Sequence, residues 1–286
     1  MKRFIKKISI FIFILTAYFL VNTVLNYAIF NKIKPPIKNS DIFIMGDSHP
    51  FKAIDPSMFR SATNLAMLME PYILTFWKLE YLVNNAKPDT ILLGFGHQNI
   101  SAFNDKKFIE EKWVGEMFKR SYLIGKVINI GLDVDFKVYL KVFYKKMLIY
   151  PHSDHFNFID TYSNTDSNQI DDIIPAIKRH FYNEDNQPIG ISPVQIQYLD
   201  SILNLCRRKN IKIFLISSPV HHEYFSLIPE SMKQIFNKKK SEIMSNGFDV
   251  IDMSESVFDD DCFQNADHLN SKGAKKFTND IKSIIF

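Results

Sequence analysis

The chain has 286 residues, 46% of them hydrophobic, which is enough to bury the core of one domain after a membrane segment is set aside. Its formal net charge is +4, yet residues 1–38 hold seven of the 35 basic side chains and none of the 31 acidic ones. The rest of the chain is therefore net acidic, which argues against a basic nucleic-acid-binding surface and against nucleic acid as a partner.

An uncharged run from Ile8 to Phe30 comes first and is long enough, as a helix, to cross a hydrocarbon core of about 30 Å. It is longer than the apolar region of a cleaved signal peptide and lacks a small-x-small cleavage site, so a retained signal anchor is predicted and a cleaved signal is the alternative. A buried core helix is disfavoured because the run is apolar on every face. By the positive-inside rule, the basic residues before the run predict a cytoplasmic tip and a C-terminal domain on the periplasmic or extracellular side. These residues are Lys2, Arg3, Lys6 and Lys7.

Two prolines in residues 33–40 (IKPPIKNS) favour an extended spacer after the anchor. We therefore predict an anchor region over residues 1–38 and a folded domain over residues 39–286. Short apolar runs bounded by turn residues predict five strands, over Ile42–Met45, Ala62–Ala66, Thr90–Phe95, Ile211–Ser217 and Phe248–Ile251. Apolar residues at helical spacing predict helices over Glu70–Ala86, Pro193–Arg208, Pro229–Ser245 and Gly273–Ile285.

Strands that alternate with helices indicate an α/β fold with a parallel sheet covered on both faces. Such a sheet carries its functional residues in loops after the carboxyl ends of the strands. Residues 101–190 interrupt the alternation and are rich in aromatic residues and lysines, followed by a polar stretch. We predict helical insertions here, as a cap over the site or a surface near the membrane, with additional packing as the alternative. Cys206 and Cys262 lack metal-ligand spacing and are expected to be independent buried thiols, although pairing in an oxidising compartment is left open.

The first segment able to carry chemistry is Gly46-Asp47-Ser48-His49, directly after the first predicted strand. A serine on this strand-to-helix turn would expose its hydroxyl at the carboxyl end of the sheet, near the N–H groups that begin the helix. That position suits acyl transfer, because the attacked carbonyl oxygen gains charge and needs preorganised donors. The alternative is structural, with Asp47 or Ser48 as a helix N-cap.

Two later segments are expected on the same edge of the sheet. Gly96-His97-Gln98-Asn99 follows the Thr90–Phe95 strand, where the Asn99 amide could donate to an oxyanion. Asn265-Ala266-Asp267-His268-Leu269-Asn270 precedes the last helix and supplies a histidine and a carboxylate. A serine hydroxyl is a good nucleophile only when a base takes its proton and a partner orients that base. Ser48, His268 and Asp267 are therefore the candidate nucleophile, base and orienting acid.

Four segments in this order resemble the spaced motifs of the SGNH/GDSL hydrolase superfamily, namely Gly46-Asp47-Ser48, Asn64-Leu65-Ala66, Gly96-x-x-Asn99 and the terminal Asp/His element. The resemblance covers residues 41–286 apart from most of the insertion. It implies a flavodoxin-like three-layer α/β/α sandwich and ester hydrolysis or acyl transfer through an acyl-serine. It also implies that Ser48 is the nucleophile and an oxyanion donor through its own amide, that Asn99 is a second donor, and that His268 is the base.

The chain departs from that superfamily at two points. The second motif usually offers a glycine to the oxyanion hole, whereas residues 66–70 contain none, so another backbone amide would have to serve. The terminal motif is usually Asp-x-x-His, but the residue three before His268 is Asn265. We predict that Asp267 orients the imidazole, and Asn265, which would do so without charge, is the alternative.

The other histidines are given smaller roles. His49 and His97 adjoin two of the proposed site segments and are expected to tune them. His221 and His222 follow the IKIFLIS strand and are expected to line the substrate rim. The His-Ser-Asp-His stretch at residues 152–155 is expected to be a solvated loop. No metal and no cofactor are predicted.

An anchored SGNH-like domain outside the cytoplasm resembles the partner proteins of polysaccharide O-acetylation and teichoic-acid D-alanylation, in which an integral-membrane acyltransferase delivers the acyl group. The resemblance implies a serine-dependent O-acyltransferase or acyl-esterase that acts on a cell-envelope polysaccharide. Its partners would be the membrane, the envelope glycan and an integral-membrane acyltransferase. The alternative is a non-catalytic SGNH-like binding or assembly subunit of an envelope acylation complex, which the two departures favour. A secreted lipase is less expected, because an anchor limits diffusion to substrate.

Overall fold

Five short strands form one parallel sheet, with bounds Ile42–Met45 (β1), Ala62–Asn64 (β2), Thr90–Gly94 (β3), Lys212–Ser217 (β4) and Asp249–Asp252 (β5). Their order across the sheet is β2-β1-β3-β4-β5, and every neighbouring pair is parallel. This is the flavodoxin-like strand order. The predicted α/β fold with a parallel sheet is confirmed.

The computed structural model describes residues 1–32, 40–122, 130–132, 136–144, 148–149 and 162–286. Eleven α-helices lie in this part of the chain: Lys2–Lys32 (α1), Ser48–Ala53 (α2), Tyr72–Asn85 (α3), Phe103–Ile109 (α4), Glu111–Tyr122 (α5), Phe136–Phe143 (α6), Ile173–Phe181 (α7), Pro193–Arg208 (α8), His222–Ser226 (α9), Glu230–Ser245 (α10) and Ser271–Ile285 (α11). The four predicted helices of the domain are present within two residues of their expected starts. α3 begins at Tyr72 because Pro71, with extended backbone, is its N-cap. The stretch 152–155 lies outside the described residues.

Helices cover both faces of the sheet, because successive strand residues point to opposite sides. On one face, odd-numbered strand residues such as Phe43, Ile91 and Leu215 pack with α3, α8 and α10. On the other face, even-numbered residues such as Ile44 and Leu92 pack with α2 and α11. Burial on both faces explains why the strands are continuous apolar runs in the sequence.

Contacts within the chain separate two units, each built from two segments. Met1–Pro36 and Lys107–Phe158 form one unit, and Ile37–Lys106 and Ile159–Phe286 form the other, which holds the sheet. In the first unit, Lys2–Ile29 of α1 is long and apolar enough to cross a membrane. Its length and composition suit a membrane anchor or a signal sequence. The predicted boundary at residues 38 and 39 falls outside the described residues and stays a prediction.

Both cysteines are free and buried, as expected. Cys206 lies on α8 in the core that also contains α10, and Cys262 lies in the core beneath α11. Burial raises the pKa of the Cys206 thiol to about 12. It therefore stays protonated at neutral pH and packs as a small apolar side chain.

Candidate active site

The turn between β1 and α2 presents Ser48 at the carboxyl edge of the sheet. Gly46 makes the turn with a φ of +122°, a conformation that L side chains rarely adopt. The Asp47 carboxylate then caps α2 by accepting the backbone N–H of His49 at 3.0 Å, so the N-cap role considered for Asp47 is confirmed. Gly94, at the end of β3, leaves room for Pro50 of α2, because a Cβ at Gly94 would lie 2.7 Å from the proline ring. Together these features place Ser48 as the first residue of the helix.

The Ser48 hydroxyl faces the ring of His268. Its Oγ lies 2.7 Å from Nε2, a normal hydrogen-bond distance. The two residues meet because the β1–α2 turn and the loop before α11 lie at the same edge of the sheet. The His268 side chain is 16% exposed, which leaves its ring open to a substrate. This is the arrangement of a serine nucleophile with an imidazole base.

Two side chains approach the other ring nitrogen of His268. Asn265 Oδ1 lies 2.9 Å from Nδ1 with hydrogen-bond geometry, and the same oxygen accepts the backbone N–H of His268 at 3.0 Å. Asp267 Oδ1 lies 3.0 Å from Nδ1, but its direction of approach is not that of a hydrogen bond. Either acceptor favours a proton on Nδ1, which leaves Nε2 free to take the Ser48 proton. The orienting role predicted for Asp267 stays a prediction.

Asp267 is fully enclosed, with a side chain that is 0% exposed. Besides His268, its carboxylate faces Nε2 of His49 and Nδ1 of His180, each 3.8 Å away. Burial by itself raises the pKa of this carboxyl, but the adjacent His268, with His180 and His49, outweighs burial and holds the pKa below its ordinary value. Asp267 is therefore ionised at neutral pH and places a negative charge beneath the His268 ring.

A second carboxylate, Asp47, ties two site segments together. Its Oδ2 accepts a hydrogen bond from Nδ2 of Asn99 at 2.8 Å and lies 3.3 Å from Nδ1 of His49. His49 therefore stands between Asp47 and Asp267. The Asn99 Oδ1 accepts the Gly96 N–H at 2.7 Å, which fixes the direction of the amide. One of the two N–H donors of Asn99 serves Asp47, and the other is the candidate donor to an oxyanion.

The loop after β2 is built without the glycine of the second motif. The Ala66 N–H donates to Asn64 Oδ1 and the Met67 N–H donates to the Gly46 carbonyl, each at 3.0 Å. Met69 adopts a φ of +62°, a left-handed conformation that is unfavourable for a residue with a side chain. The amides of Ala66 and Met67 are thus used within the fold, and the proposed oxyanion donors are those of Ser48 and Asn99.

A narrow cleft of about 10 Å³, room for roughly one water molecule, lies beside Asn99 and is lined mainly by residues at the ends of β3 and β4. His49 and His97 both line this cleft next to Asn99, whereas Ser48 and His268 do not. The His97 ring stacks on Phe236, with centroids 4.0 Å apart. Burial lowers the pKa of His97 to about 4. His97 is therefore a neutral wall residue at pH 7.

His221 and His222 lie after β4, beside the loop that carries His268. His221 is buried, and its backbone N–H donates to the Ala266 carbonyl at 3.0 Å. Its Nε2 lies 3.2 Å from Asp260 Oδ1. His222 begins α9 and is exposed. His221 thus stabilises the loop that carries His268, through its hydrogen bond to Ala266.

Two clusters among the described residues have ligand atoms close enough to share a metal ion. They are His221, His222 and Asp260, and His49, Asp267 and His268. In both clusters, contacts between the side chains themselves explain why the ligand atoms lie close together. These are the His221–Asp260 contact in the first cluster and the contacts of Asp267 with His49 and His268 in the second. We assign a metal to neither.

His180 and Tyr224 belong to the site but carried no signal in the sequence. Nδ1 of His180, on α7, lies 2.7 Å from the Tyr224 hydroxyl on α9. Burial, and then the charge of Asp267, raises the pKa of Tyr224, so this hydroxyl keeps its proton. Nothing in the local pattern around His180, inside the predicted insertion, indicates that it would reach Asp267.

Comparison with known proteins gives one family match and several distant structures. Residues 177–285 match the family model described as DltD protein, and this part holds Asn265, Asp267 and His268 but not Ser48. No curated protein sequence matches the chain.

The similar solved structures share little sequence with this chain. A GDSL-like lipase from Bacteroides thetaiotaomicron is 12% identical, with a TM-score of 0.46 over 91% of this chain and 97% of that one. A provisionally assigned acylhydrolase from Bacteroides fragilis is 13% identical, with a TM-score of 0.43 over 90% and 91%. A protein from Streptococcus pneumoniae provisionally described as a platelet activating factor is 13% identical, with a TM-score of 0.45 over 97% and 99%. At this level of similarity they carry no argument about function.

Proposed function

We propose that this chain, an SGNH/GDSL-type protein by its spaced motifs and its match to the DltD family, is a serine-dependent O-acyltransferase or acyl-esterase. The observation that carries the proposal is the 2.7 Å contact between Ser48 Oγ and His268 Nε2. At that distance the imidazole can take the hydroxyl proton, because Asn265 accepts a hydrogen bond from the other ring nitrogen and so fixes the ring.

The proposed reaction has two half-reactions at Ser48. In the first, Oγ attacks the acyl carbonyl while Nε2 of His268 takes the hydroxyl proton. The tetrahedral intermediate then expels the donor's leaving group, which receives that proton from His268, and the acyl group remains on Ser48. In the second, a glycan hydroxyl or water attacks the acyl-serine and gives its proton to His268. Collapse returns the proton to Ser48 and releases an acylated glycan or a free acid.

The negative oxygen of each intermediate needs donors fixed in advance. The backbone N–H of Ser48 and the second N–H of Asn99 are the proposed donors. Asp47 supports this arrangement, because it caps the Ser48 helix and accepts the other Asn99 N–H. A donor held by a buried carboxylate needs little reorganisation when charge develops.

We propose that the orienting task at His268 is divided between two side chains. Asn265, which has the hydrogen-bond geometry, would fix the direction of the ring. Asp267, enclosed and ionised, would stabilise the imidazolium that forms when His268 takes the serine proton. This division compensates for an asparagine at the position where the superfamily usually has an aspartate.

The proposed setting is the outer face of a membrane, with a cell-envelope polysaccharide as acyl acceptor or ester substrate and an integral-membrane acyltransferase as partner. The long apolar helix α1 supports tethering, and the basic residues before it support a cytoplasmic N-terminus. The DltD family match supports an envelope role. A tether would hold the serine near a membrane-bound acyl donor, which raises the effective concentration of that donor.

Covalent labelling with a fluorophosphonate probe tests the proposal on the purified full-length protein. Wild-type protein should be labelled and Ser48→Ala should not. Ser218→Ala is the matched control, because Ser218 is a buried serine that lines the cleft beside Asn99. It should be labelled like wild type. Labelling that persists in Ser48→Ala would refute the assignment of the nucleophile.

The second candidate is a non-catalytic binding or assembly subunit. Asn265 at the usual aspartate position and the loop at residues 66–70 without glycine favour it. Cells that carry Ser48→Ala in place of the wild-type chain distinguish the two. Loss of glycan acylation with a normal level of the protein supports the enzyme, whereas normal acylation, together with no labelling of wild type, supports the subunit.

A further inference from the structure

The apolar helix α1 carries polar side chains along one side of its second half. Tyr18, Asn22 and Asn26 recur every four residues and so share a face. Asn22 is 4% exposed and Asn26 is 0% exposed, whereas large apolar side chains along the same helix, such as Leu20 and Val24, are open. Polar groups in a lipid-spanning helix are unfavourable unless protein satisfies them.

The chain itself covers this polar face. Nδ2 of Asn22 donates to the backbone carbonyls of Leu148 and Ile149, each at 3.1 Å. The Tyr18 hydroxyl also donates to the Ile149 carbonyl. Phe19 is the residue after Tyr18 in α1, and its ring contacts the ring of Tyr144 edge to face, with centroids 6.1 Å apart. All of these contacts lie within the unit formed by Met1–Pro36 and Lys107–Phe158.

The position of these contacts along α1 sets their depth in a bilayer. With a rise of about 1.5 Å per residue, Tyr18 lies roughly 15 Å from Ile8 and roughly 18 Å from Phe30, the two ends of the uncharged run. Asn22 lies about 12 Å from Phe30 on the same scale. The Leu148 and Ile149 carbonyls therefore meet α1 inside the hydrocarbon. Backbone carbonyls that face lipid are tolerated there only when protein groups satisfy them, as Tyr18 and Asn22 do.

The helix α6, which precedes this contact, has the composition of a membrane-interface element. Leu140 and Tyr144 are 50% and 47% exposed. Lys137 and Lys141, which lie on either side of Leu140 in the sequence, are also exposed. Lys141 forms an ion pair with Glu111 of α5. Aromatic rings and lysines that extend an apolar stem toward water are typical of helices at the headgroup boundary.

We propose that this unit contains a second membrane-binding element: α6 enters the outer leaflet from its headgroup side and ends at the depth of Phe19, and the Leu148–Ile149 backbone meets the polar face of α1 inside the hydrocarbon. The occupant of the exposed α6 surface is the lipid bilayer. The inference rests on the proposed anchoring and extends it, because a helix bound by its own chain is a structural part of the protein, which a cleaved signal is not.

Depth-dependent fluorescence quenching tests the inference on the full chain in phosphatidylcholine and phosphatidylglycerol vesicles. In a Cys206→Ala, Cys262→Ala background, single cysteines at Leu140, at Tyr144 and at the exposed control position Met244 of α10 carry an environment-sensitive label. Lipids brominated on the acyl chains should quench the labels at 140 and 144 severalfold more than the label at 244, and aqueous iodide should show the reverse order. Equal quenching at the three positions would overturn the inference.

Two companion measurements separate the possible failures. Protein that alkaline carbonate extracts from the vesicles would refute the anchoring itself, whereas protein that stays bound without quenching at 140 and 144 would refute only the second element. Asn22→Leu keeps α1 apolar and removes the amide that donates to both carbonyls, leaving only the Tyr18 hydroxyl bond to Ile149, so it should reduce acyl-chain quenching at 144. Thr23→Leu is the matched control, since the Thr23 hydroxyl donates to the Phe19 carbonyl within α1, and it should leave quenching unchanged. Equal quenching in the two variants would refute the polar contact as the cause of the depth.

Discussion

The hydroxyl of Ser48 and Nε2 of His268 lie 2.7 Å apart, although 220 positions separate the two residues along the chain. The parallel sheet creates this contact, since it brings the turn after its first strand and the loop before the last helix to one edge. Ser48 and His268 are both partly buried, so their reactive atoms stay accessible to a substrate. We therefore predict that Ser48 and His268 act together in turnover.

Ser48→Ala and His268→Ala should each reduce turnover of an activated ester on the order of 10⁶-fold, the loss seen when a serine protease loses its nucleophile or base. The double variant should lose no more than either single variant, because each change alone disables the same proton transfer. Initial rates of ester hydrolysis at equal concentrations of folded protein measure this. Additive losses would mean that Ser48 and His268 act separately.

Asp267→Asn should lower ester turnover by up to about 10⁴-fold, because the charge that stabilises the imidazolium is lost while the shape of the side chain is kept. Asn265→Asp should change turnover little, since Asp267 already supplies a negative charge. Rates in the two variants, with circular dichroism as a check of folding, decide the matter. A rate that rises in Asn265→Asp and stays unchanged in Asp267→Asn would assign the orienting role to position 265 alone.

Gly94→Ala should destabilise the protein by about 1–3 kcal/mol and also lower labelling at Ser48. The added Cβ would lie 2.7 Å from the Pro50 ring, so α2, which carries Ser48, must shift. Gly115→Ala within α5 is the control, because among the described residues nothing beyond its own helix backbone and chain neighbours lies within 4 Å of a Cβ built there, so this variant should not be destabilised. Urea unfolding and probe labelling of both variants test this, and an unshifted midpoint in Gly94→Ala would show that the packing at Pro50 can relax.

His97→Phe should make the stability of the protein less sensitive to acid. Folding lowers the pKa of His97 from 6.5 to about 4, so between these pH values the unfolded chain binds a proton that the folded protein does not. Stability therefore falls as the pH is lowered through this window, by about 3 kcal/mol from this residue. Phenylalanine keeps the stacking on Phe236 and cannot titrate. Urea midpoints at pH 7 and pH 4.5 measure the difference, with His222→Phe at an exposed position as the control, which should follow wild type.

Local pattern was sufficient to predict the five strands and to select candidate site residues beside them. β1 and α8 have the bounds expected from their apolar runs, because burial on both faces of the sheet leaves a continuous signal in the sequence. β2 is shorter than predicted and ends at Asn64, whose side chain turns back to bond the Pro50 and Ile54 carbonyls. That bond depends on where α2 lies, and no run of neighbouring residues contains this information.

The sequence by itself determined the strand-helix alternation, the apolar first helix, and Ser48, Asn99 and His268 as candidates at strand ends, since each depends on residues close together in the chain. Only the tertiary structure decided that Asn265 makes the hydrogen bond to Nδ1 while Asp267 lies enclosed among His268, His49 and His180. The physical reason is that the direction and burial of a side chain depend on elements that pack from distant parts of the chain. His180 lies on α7, and its distance to Asp267 depends on how α7 packs in the folded domain.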